Sequence, residues 1–164
     1  MMSDTTLQNS TDKLKVVIAT TAEQKKLGEQ IRQQVFVCEQ GVPLELEKDG
    51  KDGISEQYLA ILRNAAIGTA RSRRIGQNEE KIERVAIVYE YRGLSHGFRF
   101  MQQIMNLISM RGIEKVTIFA QIDVVPFYRR LNFKPVGPRF IEAGIVHQEM
   151  TIQHLQLGAT PVQD

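Results

Sequence analysis

Six consecutive residues, Arg92-Gly93-Leu94-Ser95-His96-Gly97, carry the most legible chemistry in the chain. An apolar strand ending near Val88 leads into them through a short turn, and a helix with an apolar face comes after. That order gathers backbone N–H groups and a positive helix end at one point, the arrangement that holds phosphate. Gly93 and Gly97 let main chain approach a ligand closely. The loop is not a P-loop, because no Gly-Lys-Ser/Thr comes after it, and it lacks the G-x-G-x-x-G spacing of a dinucleotide fingerprint. Cys38 and the three histidines offer no metal-ligand spacing.

Composition narrows the setting. The chain has 164 residues, 42% hydrophobic and 24% charged, with a net charge of +2, and reads as one α/β domain without a nucleic-acid partner. No run approaches a membrane span. A single cysteine, Cys38, favours a reducing, cytoplasmic setting, and its apolar neighbours predict a buried small hydrophobe. Arginines crowd the middle of the chain, whereas Glu39, Glu45, Glu47, Asp49 and Asp52 crowd an earlier stretch. That split suits a cofactor with an anionic end and an acceptor with a cationic one.

The elements that must position the loop emerge from periodicity. Residues 15–19 read as a first strand, and Thr20 or Thr21 can cap the helix behind it. Leu27, Ile31, Val35 and Cys38 fall at helical spacing, which predicts the buried face of that helix. Residues 44–55 form an acidic loop long enough to be a candidate substrate loop. Strands are expected at 57–63, 66–75 and 81–88, then the motif helix at about 94–110, ended by Gly112. A buried strand at 116–121 and a short helix at 124–131 come next, with Asn132 at a left-handed position. Residues 133–136 and 146–152 form a late antiparallel pair. Residues 1–13 and 155–164 read as polar tails around a single domain at 14–154.

Four stretches make a resemblance specific. The strand-turn-Arg-Gly-x-x-x-Gly-helix order resembles the acyl-CoA motif of the GNAT N-acetyltransferase superfamily, Gln/Arg-x-x-Gly-x-Gly/Ala, with Ser95 at the usual middle glycine. Phe127-Tyr128-Arg129-Arg130-Leu131-Asn132-Phe133 is similar to the family's Phe-Tyr-x-x-Leu-Gly-Phe block, with Asn132 for the glycine. Phe140 to Met150 resembles the Phe-x-Glu-Ala-Gly-Ile-x-His-x-x-Met ending of one bacterial subgroup, and Arg32 to Pro43 resembles that subgroup's Arg-x-x-Val-Phe-x-x-Glu-Gln-x-Val-Pro opening.

The resemblance implies a mixed, mostly antiparallel sheet of about seven strands flanked by helices. It also implies acetyl transfer from acetyl-CoA to a primary amine of a small or amino-acid-like acceptor, without metal; GNAT proteins often form homodimers. Main chain of Val85, Ala86 and Ile87 would pair with the pantetheine arm. Amides of Arg92, Gly93, Leu94, Ser95, His96 and Gly97 would hold the pyrophosphate, with Phe98, Asp123 and Phe127 completing the cofactor set. Tyr128 stands where the family places a general acid, and Glu83 where several members place a base acting through water, on the same side of the strand as Val85 and Ile87. Phe36, Glu39, Gln40, Glu142 and His147 are the expected acceptor residues. A non-catalytic acyl-CoA-binding module and a protein-amine acyltransferase are the rival readings.

Overall fold

The computed structural model describes residues 12–155, so the outer parts of both expected tails, 1–11 and 156–164, lie outside the described residues. Eight strands form one sheet: β1 (Lys15–Ile18), β2 (Glu56–Leu62), β3 (Ala65–Gly76), β4 (Glu79–Ile87), β5 (Lys115–Gln121), β6 (Lys134–Pro135), β7 (Phe140–Glu142) and β8 (Ile145–Gln153). Their order is β1-β2-β3-β4-β5-β8-β6, with β7 also on β8. Among these pairs only β4 and β5 run parallel. The strand beyond the expected seven is β7, which Ala143 (φ 51°) and Gly144 (φ 75°) fold back onto β8. Positive φ at both residues is what such a two-residue hairpin needs. The β2–β3 turn is likewise built on Arg63 (φ 48°) and Asn64 (φ 63°), so β3 begins one residue earlier than expected.

Four helices cover the sheet: α1 (Ala22–Arg32), α2 (Leu44–Glu47), α3 (His96–Ser109) and α4 (Val125–Arg130). Thr21 caps α1 in a reciprocal box with Gln24. At its far end α1 widens into a π-helical stretch, Gln33–Glu39. The wider turn rotates the residues within and beyond it about the helix axis, which re-aims Cys38 from its expected place. Ile31 and Val35 are buried, but Leu27 is 41% exposed and Cys38 is exposed. Gly28 and Arg32 take their places against the sheet; a Cβ at Gly28 would stand 3.0 Å from Thr69 Oγ1.

On the other face, α3 buries Phe100, Met101, Ile104 and Ile108 completely. They pack with Tyr58, Ala60, Ile67, Ile82, Val116 and Ile118 in the main core, which α4 joins through Tyr128 and Leu131. Gly112 (φ 79°) and Asn132 (φ 70°) lie just past α3 and α4 in the left-handed region, as their residue types foretold.

One irregularity shapes everything downstream. Thr69 pairs with Ala86 and Arg71 with Glu83, so three steps along β4 face two along β3. Arg84, at φ 57°, is the left-handed residue in this bulge. The extra residue inverts the alternation beyond it. Val85 and Ile87 pack against the α3 core with Ile82, whereas Ala86 packs with Ile31 and Val35 of the α1 layer. Glu83 faces Arg71, whose guanidinium reaches the α1 side through Asp52. The expectation that Glu83 shares a face with Val85 and Ile87 is therefore overturned by the bulge.

Candidate active site

The parallel pairing of β4 with β5 ends at Ile82 and Ile118. Past that point β4 stays with β3 through its bulge, while Phe119, Ala120 and Gln121 stay with β8. The two strands therefore part, and among the described residues the β5-facing main chain of residues 83–87 has no strand partner. A cleft of about 1530 Å³ occupies the wedge, lined by Phe36 and Gln40 from the α1 side and by Gly97, Phe98, Phe127 and Tyr128 from the α3 side.

The phosphate loop closes one end. Gly93 (φ 78°) and Ser95 (φ 64°) are both left-handed, and no side chain caps α3. The first-turn N–H groups of α3 are thus left for an anion. His96 adds a buried Nδ1 without a hydrogen-bond partner among the described residues. Arg99, Arg129 and Arg130 line the same cleft. Arg92 has a different job: its Nε donates to Ile87 O at 2.8 Å and its Nη2 to Glu39 Oε2 at 2.8 Å. The guanidinium clamps the loop to the end of the π-helical stretch. Glu39, an expected acceptor residue, pairs its charge with Arg92 in this arrangement.

Tyr128 is 7% exposed, edge-on to Phe127 and Phe133 at 5.0 and 5.8 Å. Its hydroxyl has no hydrogen bond among the described residues, and burial pushes the phenol above its ordinary value. The phenol is protonated at neutral pH, and the same burial makes it a weaker proton donor than a solvated tyrosine.

Glu83 is the hub of a cation cluster. Arg71 Nη2, Arg73 Nη2 and Lys81 Nζ lie 3.0, 3.2 and 3.0 Å from its carboxylate oxygens. Burial opposes its charge, but the hydrogen bonds from Arg73 and Lys81 and the charges of Lys81 and Arg71 outweigh it, holding the pKa at about 2. A carboxylate so stabilised is a weak proton acceptor. The acidic loop is tied down in the same way. Arg71 holds Asp49 and Asp52, and Arg32 holds Asp52 bidentately at 2.8 and 2.6 Å. Arg32 Nε also lies 2.7 Å from Glu47 Oε1, close in charge but off the hydrogen-bond line. Of the carboxylates expected to greet a cationic acceptor, Glu47, Asp49 and Asp52 are instead paired with the chain's own arginines.

The β8 side of the cleft is aromatic. Phe119 meets Phe140 edge-on at 5.0 Å, and Phe140 stacks on His147 at 5.7 Å. Lys81 Nζ sits 3.4 Å over the Phe119 ring. His147 Nδ1 is 2.7 Å from Ile145 O. A carbonyl only accepts, so Nδ1 carries the proton and neutral His147 keeps its lone pair on Nε2. Gln40 accepts from Gln121 Nε2 at 2.7 Å, bridging the cleft mouth.

A family model for the acetyltransferase (GNAT) domain matches residues 12–154. The chain belongs to the GNAT acetyltransferase family. The N-acetyltransferase YjcF of Bacillus subtilis (strain 168), itself uncharacterized, is 30% identical over 138 residues, which cover 84% of this chain and 98% of YjcF. An N-acetyltransferase structure from Lactobacillus plantarum superposes with a TM-score of 0.81 at 22% identity, over 87% of this chain and 99% of that one. A GNAT family acetyltransferase from Elizabethkingia anophelis with acetyl-CoA bound superposes at 0.69 with 12% identity, over 87% and 99% of the two chains. The last two likenesses concern the fold.

Within this GNAT fold the cleft gathers most residues named from sequence. Val85, Ala86, Ile87, Arg92, Gly93, Ser95, His96, Gly97, Phe98, Phe127, Tyr128, Glu83, Phe36, Gln40, Glu142 and His147 all line it. Leu94 is 62% exposed and Asp123 exposed on the turn after β5; neither lines the cleft, and nor does Glu39. Sequence reasoning missed Arg84 and Lys81. Positive charge on a strand carries no local signal of which face it will take, and the bulge decides that.

Proposed function

We propose that this GNAT protein moves an acetyl group from acetyl-CoA to a primary amine by direct attack. The observation that carries this reading is the wedge between β4 and β5, opened by the bulge at Arg84, with Tyr128 lining its α3 side. A linear amide-bearing chain fits the free β4 edge as an added strand. The uncapped start of α3, His96 Nδ1 and the three arginines suit its phosphates. The amine nitrogen bonds to the thioester carbonyl carbon, the carbon–sulfur bond breaks, and Tyr128 gives its proton to the departing thiolate.

Glu83 has the wrong environment for the base. In this reading it organises the cations of the α1 face, and cleft water takes the amine's proton, with His147 Nε2 as a lone pair on that face. The isolated cysteine fits a cytoplasmic place of action. Calorimetric titration with acetyl-CoA, then thiol release over an amine panel, tests the proposal. Micromolar binding with thiol release is expected. Binding without release for any amine would favour an acyl-CoA-binding module, and absence of binding would sink both.

A further inference from the structure

On the acceptor side of the cleft, Arg84 stands in a strained position with its bonding incomplete. It holds the left-handed conformation of the β4 bulge, a costly place for a long side chain and one that persists where the surroundings enforce it. It lines the cleft, and its side chain keeps 25% exposure. Its contacts are poor for a guanidinium. Among the described residues Nη2 alone makes hydrogen bonds, at 3.2 Å to Leu46 O, 3.4 Å to Glu47 O and 3.5 Å to Asp49 Oδ2. Nε is buried without a hydrogen bond, 3.9 Å from Glu47 Oε1.

Those carboxylates have better partners already. Asp49 is held by Arg71, and Glu47 by Arg32. The cluster as a whole contains Arg32, Arg71, Arg73, Lys81 and Arg84 against Glu47, Asp49, Asp52 and Glu83. It carries one cation too many, and Arg84 is the one with the longest bonds. Lys51 lines the cleft beside it without an ion pair among the described residues. The cofactor does not explain Arg84, because Arg99, Arg129 and Arg130 stand on the α3 and α4 side. Across the cleft, Glu142 is the lining carboxylate without an ion pair among the described residues.

We infer that Arg84 binds an anionic group on the acceptor, so that the acceptor is a primary amine bearing a carboxylate or a phosphate monoester rather than a polyamine. Nη1 of Arg84 makes no hydrogen bond among the described residues, and a charged N–H donor of this kind suits either oxyanion. Glu142 then faces the ammonium end. This inference rests on the acyl-transfer reading and refines its acceptor.

The test measures thiol release from acetyl-CoA with glycine and β-alanine (carboxylate), phosphoethanolamine (phosphate), ethanolamine (neutral) and putrescine (dicationic). The wild-type protein should favour one anionic amine over ethanolamine in kcat/KM. Arg84→Asn should cut that ratio about 10- to 100-fold, the scale of one charged hydrogen bond, and Arg84→Lys should recover part of it. Asparagine tolerates the left-handed backbone, and thermal unfolding checks that both variants fold. Preference for glycine or β-alanine assigns a carboxylate; preference for phosphoethanolamine assigns a phosphate. Preference for putrescine or ethanolamine, or a folded Arg84→Asn with the ratio intact, overturns the inference and leaves acyl transfer standing. Acetyl-CoA binding with no thiol release for any amine removes the acyl-transfer reading, and the inference falls with it.

Discussion

Replacing Glu83 by glutamine separates a base from a structural hub. The carboxylate is 10% exposed and faces Arg71, Arg73 and Lys81. Its pKa falls from 4.5 to about 2 in the folded protein. At ~1.4 kcal/mol per pH unit, that drop corresponds to about 3 kcal/mol of folding free energy. Because the folded value lies below the unfolded one, the contribution is complete above pH 4.5 and drains away as pH falls towards 2. Glu83→Gln keeps the shape but removes the charge, leaving three cations crowded together. For a chain of this length the loss translates into a fall in Tm of about 6–12 °C at pH 7. The assay is thermal unfolding of both proteins from pH 7 down to pH 2.5, with thiol release at each pH where both are folded. Wild type should lose stability steeply below pH 4.5 while the variant starts lower and declines less, so that the two curves converge. A Tm within about 2 °C of wild type, combined with turnover slowed by about 100-fold or more, would refute the hub reasoning and restore Glu83 as the base.

The other expected outcomes rest on single side chains. Tyr128→Phe should slow turnover by about 10²-fold with little change in acetyl-CoA affinity; since the hydroxyl has no partner among the described residues, Tm should hold or rise slightly. An unchanged turnover rate would remove the general-acid role. Ser95→Gly should relieve the left-handed backbone at φ 64°, adding about 1 kcal/mol and about 2–4 °C in Tm. A lower Tm would mean that the Ser95 side chain holds the loop. The Arg84 series, read as acceptor preference, is the fourth test.

Local chemistry was legible in the sequence. The glycines and Ser95 before α3, Gly112 and Asn132 behind the helices, and the periodic apolar face of α3 are properties of neighbours within a few residues. Backbone sterics and helical spacing act at that range, and the structure places them as expected. Arg92 and Glu39 were each identified, yet their pairing spans 53 residues. Charge alone does not say whether such a residue meets a ligand or another residue of the same chain. The same holds for the acidic loop, which reads as a greeting for a cationic acceptor until Arg32 and Arg71 are folded against it. The β4 bulge is the deepest case. One inserted residue turns Glu83 to the α1 face and leaves Val85 and Ile87 on the α3 face. It also parts β4 from β5 and sets Arg84 in the cleft. Strand register is a property of two chains of residues together, and a single strand's sequence does not contain its partner's count.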